Sequence, residues 1–199
     1  TGGRFGVALN SASAAIHLAI LCSDIKEGDE VITPSLTFVA TNHPILMQKA
    51  TPVFCDIDRG TLCADPRDIE RKITKRTKAI IVVHYGGHPA DFSRVIELCR
   101  RHKIVLIEDC AHATGSYFKN KHVGTLGDFG CFSFAAIKNL TTGDGGMLIG
   151  KSEKRLERAR ALAWSGISQS TWQRVQGKKL KWQYNVVDTG WKYQMNDIA

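Results

Sequence analysis

Val105-Leu106-Ile107-Glu108-Asp109 is the stretch that decides the fold of this chain, because three large aliphatic residues run directly into two carboxylates. A short apolar run with a polar end is typical of a strand that is buried on both faces of a parallel sheet. Similar runs recur along the chain. Strands are therefore predicted at residues 5–9, 30–33, 52–56, 79–84, 104–108, 130–134 and 147–149.

Stretches of helical length lie between these strands, near residues 14–22, 37–48, 65–73, 91–102 and 153–163. Strands that alternate with helices predict βαβ crossovers. The predicted fold class is thus α/β, a three-layer α/β/α arrangement around a mostly parallel sheet. The stretch from residue 130 to 149 is hairpin-like, which indicates that one strand runs antiparallel.

Length and composition indicate one soluble domain. The chain has 199 residues, of which 43% are hydrophobic and 23% charged. A chain of this size can bury a hydrophobic core without the help of disulfides or metals. We expect residues 1–199 to be a piece of a longer protein, with residues 164–199 as a basic loop and interface segment and a C-terminal small domain absent. No apolar run approaches the roughly 20 residues of a membrane span, and Thr1-Gly-Gly-Arg lacks the apolar part of a secretory signal.

Six cysteines are scattered along the chain without a CxxC pair. This pattern favours buried, reduced thiols in a cytoplasmic protein. His84 and His88 are four residues apart, but the Tyr85-Gly86-Gly87 stretch between them disfavours a helical pair of zinc ligands. No metal is expected.

The net charge of +8 is concentrated near the end of the chain. Residues 1–150 carry 17 basic and 15 acidic side chains, whereas residues 151–199 carry ten and four. The excess lies in residues 151–160 and 174–181, which suggests a solvated helix face followed by a basic loop. A loop that meets a phosphate-bearing substrate is the alternative. Nucleic acid is disfavoured as a partner, because no aromatic-plus-basic pattern accompanies the charge.

Candidate site residues follow the predicted strands, where ligands of open α/β sheets bind. Asp109 closes a buried strand, so it is either a helix N-cap or the partner of a protonated ring nitrogen. Lys138 lies among apolar residues beside a glycine-rich turn. Partial burial would free its amine as a nucleophile toward an aldehyde.

Hydroxyl and aromatic side chains complete the candidate set. Ser11 and Ser13 stand between the first strand and a helix, which suits either a phosphate or simple N-capping. Ser133 precedes Lys138 by five residues and could contact a phosphate as well. Phe38 follows the second strand and could stack on a flat ring, although core packing is the ordinary role of a phenylalanine.

These motifs together resemble a known family. In family order, the chain is similar to the DegT/DnrJ/EryC1/StrS family of nucleotide-sugar aminotransferases, which depend on pyridoxal 5'-phosphate (PLP) and have fold type I. The resemblance covers essentially the whole chain. Its most specific motifs are Glu108-Asp-Cys-Ala-His-Ala113, Gly124-Thr-Leu-Gly-Asp-Phe-Gly-Cys-Phe-Ser-Phe134 and Lys138-Asn-Leu-Thr-Thr-Gly-Asp-Gly-Gly146.

The resemblance implies that the chain is the large PLP-binding domain of a fold type I aminotransferase. Lys138 is then the residue that forms the Schiff base with PLP, and Asp109 is the partner of the pyridine nitrogen. His112 lies beside the cofactor, and Phe38 lies on its ring face.

The cofactor's phosphate is assigned by the resemblance to Ser13, the Ala14 amide and Ser133. The chain departs from the family at two places. Ala12-Ser13 stands where the family has Gly-Thr, and Lys192 stands where an asparagine often reaches the partner subunit's phosphate. A lysine could contact that phosphate as a point charge.

The implied reaction is transamination of a nucleotide-linked keto-sugar, with glutamate as the expected donor and a 4-keto-6-deoxy sugar as the expected acceptor. It would serve amino-sugar biosynthesis for a surface polysaccharide, such as lipopolysaccharide, or a glycosylated metabolite. A homodimer with shared active sites is implied, and residues 174–181 could meet the substrate's diphosphate. The alternatives are a sugar dehydratase of the same family, a PLP-binding regulatory domain, and a glycosyltransferase with Asp56-Ile57-Asp58 as its DxD motif.

Overall fold

A seven-stranded sheet forms the centre of the computed structural model, which describes residues 1–169 and 184–199. The predicted basic loop at 174–181 lies outside the described residues. A separate two-stranded hairpin over residues 117–122 was not predicted. The strands are β1 (Phe5–Leu9), β2 (Glu30–Pro34), β3 (Thr51–Cys55), β4 (Thr77–Val83), β5 (Val105–Asp109), β6 (Tyr117–Phe118), β7 (Lys121–His122), β8 (Phe129–Ser133) and β9 (Gly146–Gly150).

The strand order in the main sheet is β1-β9-β8-β5-β4-β2-β3. The β2–β3, β2–β4, β4–β5 and β5–β8 pairs are parallel, whereas β9 pairs antiparallel with both β8 and β1. The mostly parallel sheet is thereby confirmed, and so is the antiparallel strand within residues 130–149. Six of the strands consequently end at the same edge of the sheet.

The helices are α1 (Ala12–Leu21), α2 (His43–Met47), α3 (Pro66–Lys72), α4 (Phe92–His102) and α5 (Glu153–Ala163). The prediction of one helix over residues 37–48 was wrong. A 3-10 turn at Val39–Thr41 precedes the short α2, and Pro44 lies in the first turn of α2. Proline has no N–H to donate backwards and is tolerated only at a helix start, so it keeps the helix from extending upstream.

Each face of the sheet carries its own hydrophobic core, as alternation along a strand requires. In β4, Ile81 faces a cluster with α1 and α5, whereas Ile80 and Val82 face a cluster with α3 and α4. Helices therefore cover both faces, which confirms the three-layer architecture. None of the helices in the described parts of the chain has the length and apolarity that a bilayer crossing requires.

The first basic stretch, residues 151–160, belongs largely to α5. Its Arg158 is bound within the chain, because the guanidinium contacts Asp24 at 2.9 Å and Asp188 at 3.4 Å. Arg158 therefore ties α5 to the end of α1 and to the described C-terminal stretch.

Residues 191–194 lie beside the end of β1 and the end of α5. The Asn10 amide donates to the Tyr193 carbonyl at 2.7 Å, and the Tyr193 amide donates to Ala163 at 2.9 Å. A β-bridge joins Leu9 to Gln194. Backbone hydrogen bonds thus hold this stretch beside the carboxyl end of β1.

The side chain of His17 in α1 contacts the same C-terminal stretch at Trp191 and Tyr193. Its ring packs edge-on against Trp191, with 4.8 Å between centroids, and Nδ1 lies 3.1 Å from the Tyr193 hydroxyl. Nε2 lies 3.3 Å from Gln48 Nε2. Burial lowers the pKa of His17 and raises the pKa of Tyr193, so the folded protein favours the neutral form of both groups.

We predict that the free energy of unfolding falls as the pH drops below about 6.5, the ordinary pKa of histidine. Below that pH the unfolded chain protonates His17 while the folded chain resists, so the unfolded state binds more protons. Urea unfolding at pH 7.5 and 5.5 measures the effect. The loss should be smaller in His17→Gln and unchanged in His102→Gln, which alters an exposed histidine. Equal losses in wild type and His17→Gln would contradict the prediction.

Candidate functional site

The candidate site lies at the edge where the parallel strands end. Asp109, the last residue of β5, is in register with Val83 of β4 and Cys131 of β8. Ser133, the last residue of β8, is in register with Gly146 of β9, which is in turn opposite Leu9. Asp109, Ser133 and the loop that follows Leu9 are therefore brought to one edge, as the sequence predicted.

Asp109 is 5% exposed and accepts two hydrogen bonds. The Ala111 amide donates to Oδ1 at 3.1 Å, and the Thr41 hydroxyl donates to Oδ2 at 2.8 Å. A carboxylate offers about four acceptor sites. The described residues therefore leave Asp109 with capacity for further donors.

Lys138 lies on the loop between β8 and β9. The loop is held by its own bonds, since the Lys138 amide donates to Ala135 at 2.9 Å and Asn139 Nδ2 donates to the Thr114 carbonyl at 2.7 Å. Lys138 is half-buried. Among the described residues, no hydrogen bond or ion pair engages its ammonium group.

The two large apolar residues near Lys138 are themselves exposed, so they do not form part of a core around it. Ile137 is 88% exposed and Leu140 51% exposed. The chain leaves the sheet after Ser133, so the pattern of apolar residues beyond that point no longer reports on the core.

The serines divide into a cap and candidate ligands. Ser11 is the N-cap of α1, and its hydroxyl accepts from the Ala14 amide at 3.2 Å. Ser13 is exposed on the first turn of α1, and Ser133 is buried. Ser11 thus takes the capping role, and the Ala14 amide already has an acceptor within the chain.

Gly146 brings the start of α1 onto the sheet. A Cβ on Gly146 would come within 2.7 Å of the Ala12 nitrogen and overlap the Ser11 backbone. Ala12 itself is buried as the first residue of α1. The close approach of helix and strand is thereby achieved by a glycine in β9.

Phe38 and His112 both lie at the surface. Phe38 is 73% exposed, so it is not a core residue. His112 is exposed beside Tyr85, with 6.2 Å between ring centroids. Both rings are accessible to a ligand.

Lys192 makes a contact that the sequence did not predict. Its Nζ lies 3.5 Å from the centre of the Trp164 ring, a cation–π contact. Its carbonyl accepts from Asn10 Nδ2 at 3.4 Å. The Lys192 side chain is thus engaged within its own chain.

Glu108 is a structural residue that the sequence reasoning missed. It is fully buried, and its carboxylate accepts from Gly124, Leu126 and Gly127 amides at 2.6, 2.8 and 2.5 Å and faces His84 Nε2 at 3.2 Å. The Ala90 amide donates to His84 Nδ1, so the ring proton is on Nε2 and is donated to Glu108. Four donors saturate this carboxylate.

The buried group of His84, Glu108 and Cys110 has ligand atoms within 4.8 Å of one another, a spacing that could hold a metal. The hydrogen bonds argue against that use. Both Glu108 oxygens and both His84 nitrogens already have partners within the chain. Burial also raises the pKa of the Cys110 thiol well above its usual range, which disfavours the thiolate that binds metals.

Comparison with known proteins gives a family match over the whole chain. Residues 1–199 match the DegT/DnrJ/EryC1/StrS aminotransferase family. An uncharacterized protein of Methanocaldococcus jannaschii, MJ1066, is 44% identical over 197 residues, which are 99% of this chain and 51% of that relative. The chain thus spans about half the length of the curated relative.

Two solved structures share the fold. The sugar aminotransferase CalS13 from Micromonospora echinospora superposes with a TM-score of 0.87 at 34% identity, over 99% of this chain and 54% of that one. NtdA from Bacillus subtilis, solved with bound cofactor PMP, superposes with a TM-score of 0.86 at 28% identity, over 98% of this chain and 42% of that one. The fold of this chain is therefore that of aminotransferase structures.

We predict that Glu108→Gln lowers the free energy of unfolding by about 2–4 kcal/mol, because an amide nitrogen replaces an acceptor that faces buried N–H donors. Urea unfolding measures the loss. The control is Glu97→Gln, since the Glu97 side chain is 72% exposed and its contact to Arg101 is 3.8 Å. That change should stay within about 0.5 kcal/mol. Equal stability of the two variants would show that the Glu108 network is not needed.

Proposed function

The chain belongs to the DegT/DnrJ/EryC1/StrS aminotransferase family, and from this membership we propose that the whole protein is a PLP-dependent aminotransferase that transfers an amino group to a nucleotide-linked keto-sugar. The observation that carries the proposal is the pair formed by Lys138 and Asp109. An ammonium without a partner among the described residues and a carboxylate with spare acceptor capacity lie at the same sheet edge.

The residues present fit PLP. Asp109 has spare capacity for the N–H of a protonated pyridine ring. Exposed Phe38 and His112 offer aromatic surface beside it. Ser13 and Ser133, with the free N–H groups at the start of α1, offer donors suited to a phosphate. The Ala14 amide would contribute by exchanging its bond to Ser11 for one to the phosphate.

When bound, PLP supplies an aldehyde that condenses with amines and a ring that withdraws electrons. Lys138 would hold the cofactor covalently until an amino donor replaces it. The freed Nζ would then carry a proton from the donor's carbon to the cofactor's C4′ in the first half-reaction and from C4′ to the acceptor's carbon in the second, acting as base and acid in turn. Asp109 would keep the ring nitrogen protonated by its negative charge.

The keto-sugar acceptor and glutamate donor are the finer part of the proposal. CalS13 is a sugar aminotransferase, which favours a sugar acceptor for this chain as well. NtdA was solved with PMP, the aminated form of PLP, as its cofactor. We propose a 4-keto-6-deoxy sugar as acceptor. The product would serve amino-sugar biosynthesis for lipopolysaccharide, another surface polysaccharide or a glycosylated metabolite.

A homodimer with shared active sites is also part of the proposal. Large apolar side chains are exposed on the turn before α2 and on α2 itself, where burial by a second subunit would be favourable. They are Phe38, Val39, Leu46 and Met47, each more than half exposed. In that dimer Lys192 would leave Trp164 and reach the partner subunit's phosphate.

A cytoplasmic location is also proposed, because all six cysteines are free and buried, which suits a reducing compartment.

Two alternatives have less support. A family dehydratase would lack the lysine, whereas Lys138 is present. A DxD glycosyltransferase needs both aspartates free for metal, but Asp58 Oδ1 accepts the Gly60 and Thr61 amides at 2.9 Å and thereby closes a turn. The match to an aminotransferase family also leaves the glycosyltransferase without support.

We predict that borohydride reduction of the full-length protein with PLP fixes the cofactor on Lys138. Peptide mapping by mass spectrometry locates the label. Lys138→Ala should lose both the label and the visible absorption band, and lose activity by at least about 10²-fold. Lys154→Ala alters an exposed lysine of α5 and should keep the label, the absorption band and the activity. A label on another lysine, or an unchanged band in Lys138→Ala, would contradict the assignment.

We predict that a panel of nucleotide-linked keto-sugars incubated with glutamate yields an amino-sugar and one 2-oxoglutarate per turnover. Mass spectrometry of the sugar and an assay for 2-oxoglutarate measure the two products. Loss of water from the sugar without consumption of glutamate would favour the dehydratase. Turnover that requires a divalent metal and no PLP would favour the glycosyltransferase.

A further inference from the structure

We propose that Thr41 is a positioning residue for the cofactor: it holds Asp109 in one orientation and ties the turn that carries Phe38 to it. The inference rests on the proposed function, because Asp109 is taken as the partner of the ring nitrogen. No local pattern in the sequence marks Thr41, because Thr41 and Asp109 are 68 positions apart in the chain.

The carboxylate of Asp109 is fixed from two sides. Thr41 Oγ1 lies 2.8 Å from Oδ2, and the Ala111 amide lies 3.1 Å from Oδ1. Thr41 is 0% exposed, so water does not compete for its hydroxyl. Because each oxygen has its own donor, rotation of the carboxylate would break both bonds. The described contacts therefore hold Asp109 in a single orientation.

The direction of the hydrogen bonds follows from the acceptor. An ionised carboxylate cannot donate, so the Thr41 proton points to Asp109. Thr37 Oγ1 lies 2.6 Å from Thr41 Oγ1 and must then donate to it. Two hydroxyl groups are thus aligned with their positive ends toward Asp109. Hydrogen bonds donated to an ionised carboxylate are stronger than those between neutral groups, so this pair of hydroxyls holds Asp109 firmly in place.

The same residue sets the place of Phe38. The Thr41 amide donates to the Phe38 carbonyl at 3.0 Å and closes the 3-10 turn Val39–Thr41. Phe38 is 73% exposed and its ring has little packing of its own. The bond from Thr41 to Asp109 therefore links the residue expected on the ring face to the residue expected at the ring nitrogen.

The test compares two substitutions at position 41 in the full-length protein. Thr41→Val keeps the shape but removes the donor, and Thr41→Ser keeps the donor. We expect Thr41→Val to raise the Kd of the apo-protein for PLP about tenfold. We also expect it to lower kcat, while the KM for the amino donor changes less than about twofold. Thr41→Ser should stay within about threefold of wild type in both. Fluorescence titration gives the Kd, and thermal unfolding shows whether each variant folds.

Thr33→Val is the matched control. Thr33 is also 0% exposed, but its hydroxyl has no hydrogen-bond partner among the described residues. This variant should bind PLP like wild type. A Thr41→Val protein with the wild-type Kd and kcat, or a Thr41→Ser protein as impaired as Thr41→Val, would overturn the role of Thr41. If the wild-type protein binds no PLP, the proposed function falls, and the inference falls with it.

Discussion

Two adjacent carboxylates at the buried end of β5 impose the constraint on which the rest of the site depends. An unpaired buried charge is costly, so each carboxylate must find donors where the strand places it. Because side chains alternate across a strand, Glu108 faces the α3 and α4 side and Asp109 faces the α1 and α2 side. Each face of the sheet is therefore organised around its own acceptor: backbone amides and His84 on one side, Thr41 and the Ala111 amide on the other.

The Glu108 side explains how the following strand is placed. The amides of Gly124, Leu126 and Gly127 all point at its carboxylate, so this segment must fold over the end of β5. Asp128 then exchanges hydrogen bonds with Leu106, and β8 starts at the next residue. Ser133 ends β8 and Lys138 follows five residues later. The buried acceptor on one face thus sets the position of the candidate ligands on the open edge.

The sequence predicts strands and residue types better than contacts. Strand positions follow from apolar runs, and their ends differ from the observed ends by two residues at most, because burial on both faces leaves a local pattern. The helix over 37–48 failed because the pattern did not weigh Pro44. Lys138 is half-buried as predicted, but the apolar residues beside it do not mark a core, because residues 134–140 lie outside the sheet. The hydrogen bonds of Thr41 to Asp109 and of His84 to Glu108 could not be predicted, since each joins residues that are distant in the sequence.

The unequal satisfaction of the two carboxylates decides which one can serve chemistry. Glu108 has four donors for about four acceptor sites, so a ligand could bind it only by displacing the fold's own bonds. Asp109 has two donors and keeps acceptor capacity at the open edge. Lys138 follows β8 on the loop toward β9 and forms no ion pair with Asp109 in the described parts of the chain. A carboxylate with spare acceptor capacity and an amine without an ion-pair partner suit a molecule that offers a cationic N–H to one and a carbonyl to the other. A pyridine ring that bears an aldehyde offers both groups, which agrees with the family to which the chain belongs and with the PMP bound in NtdA.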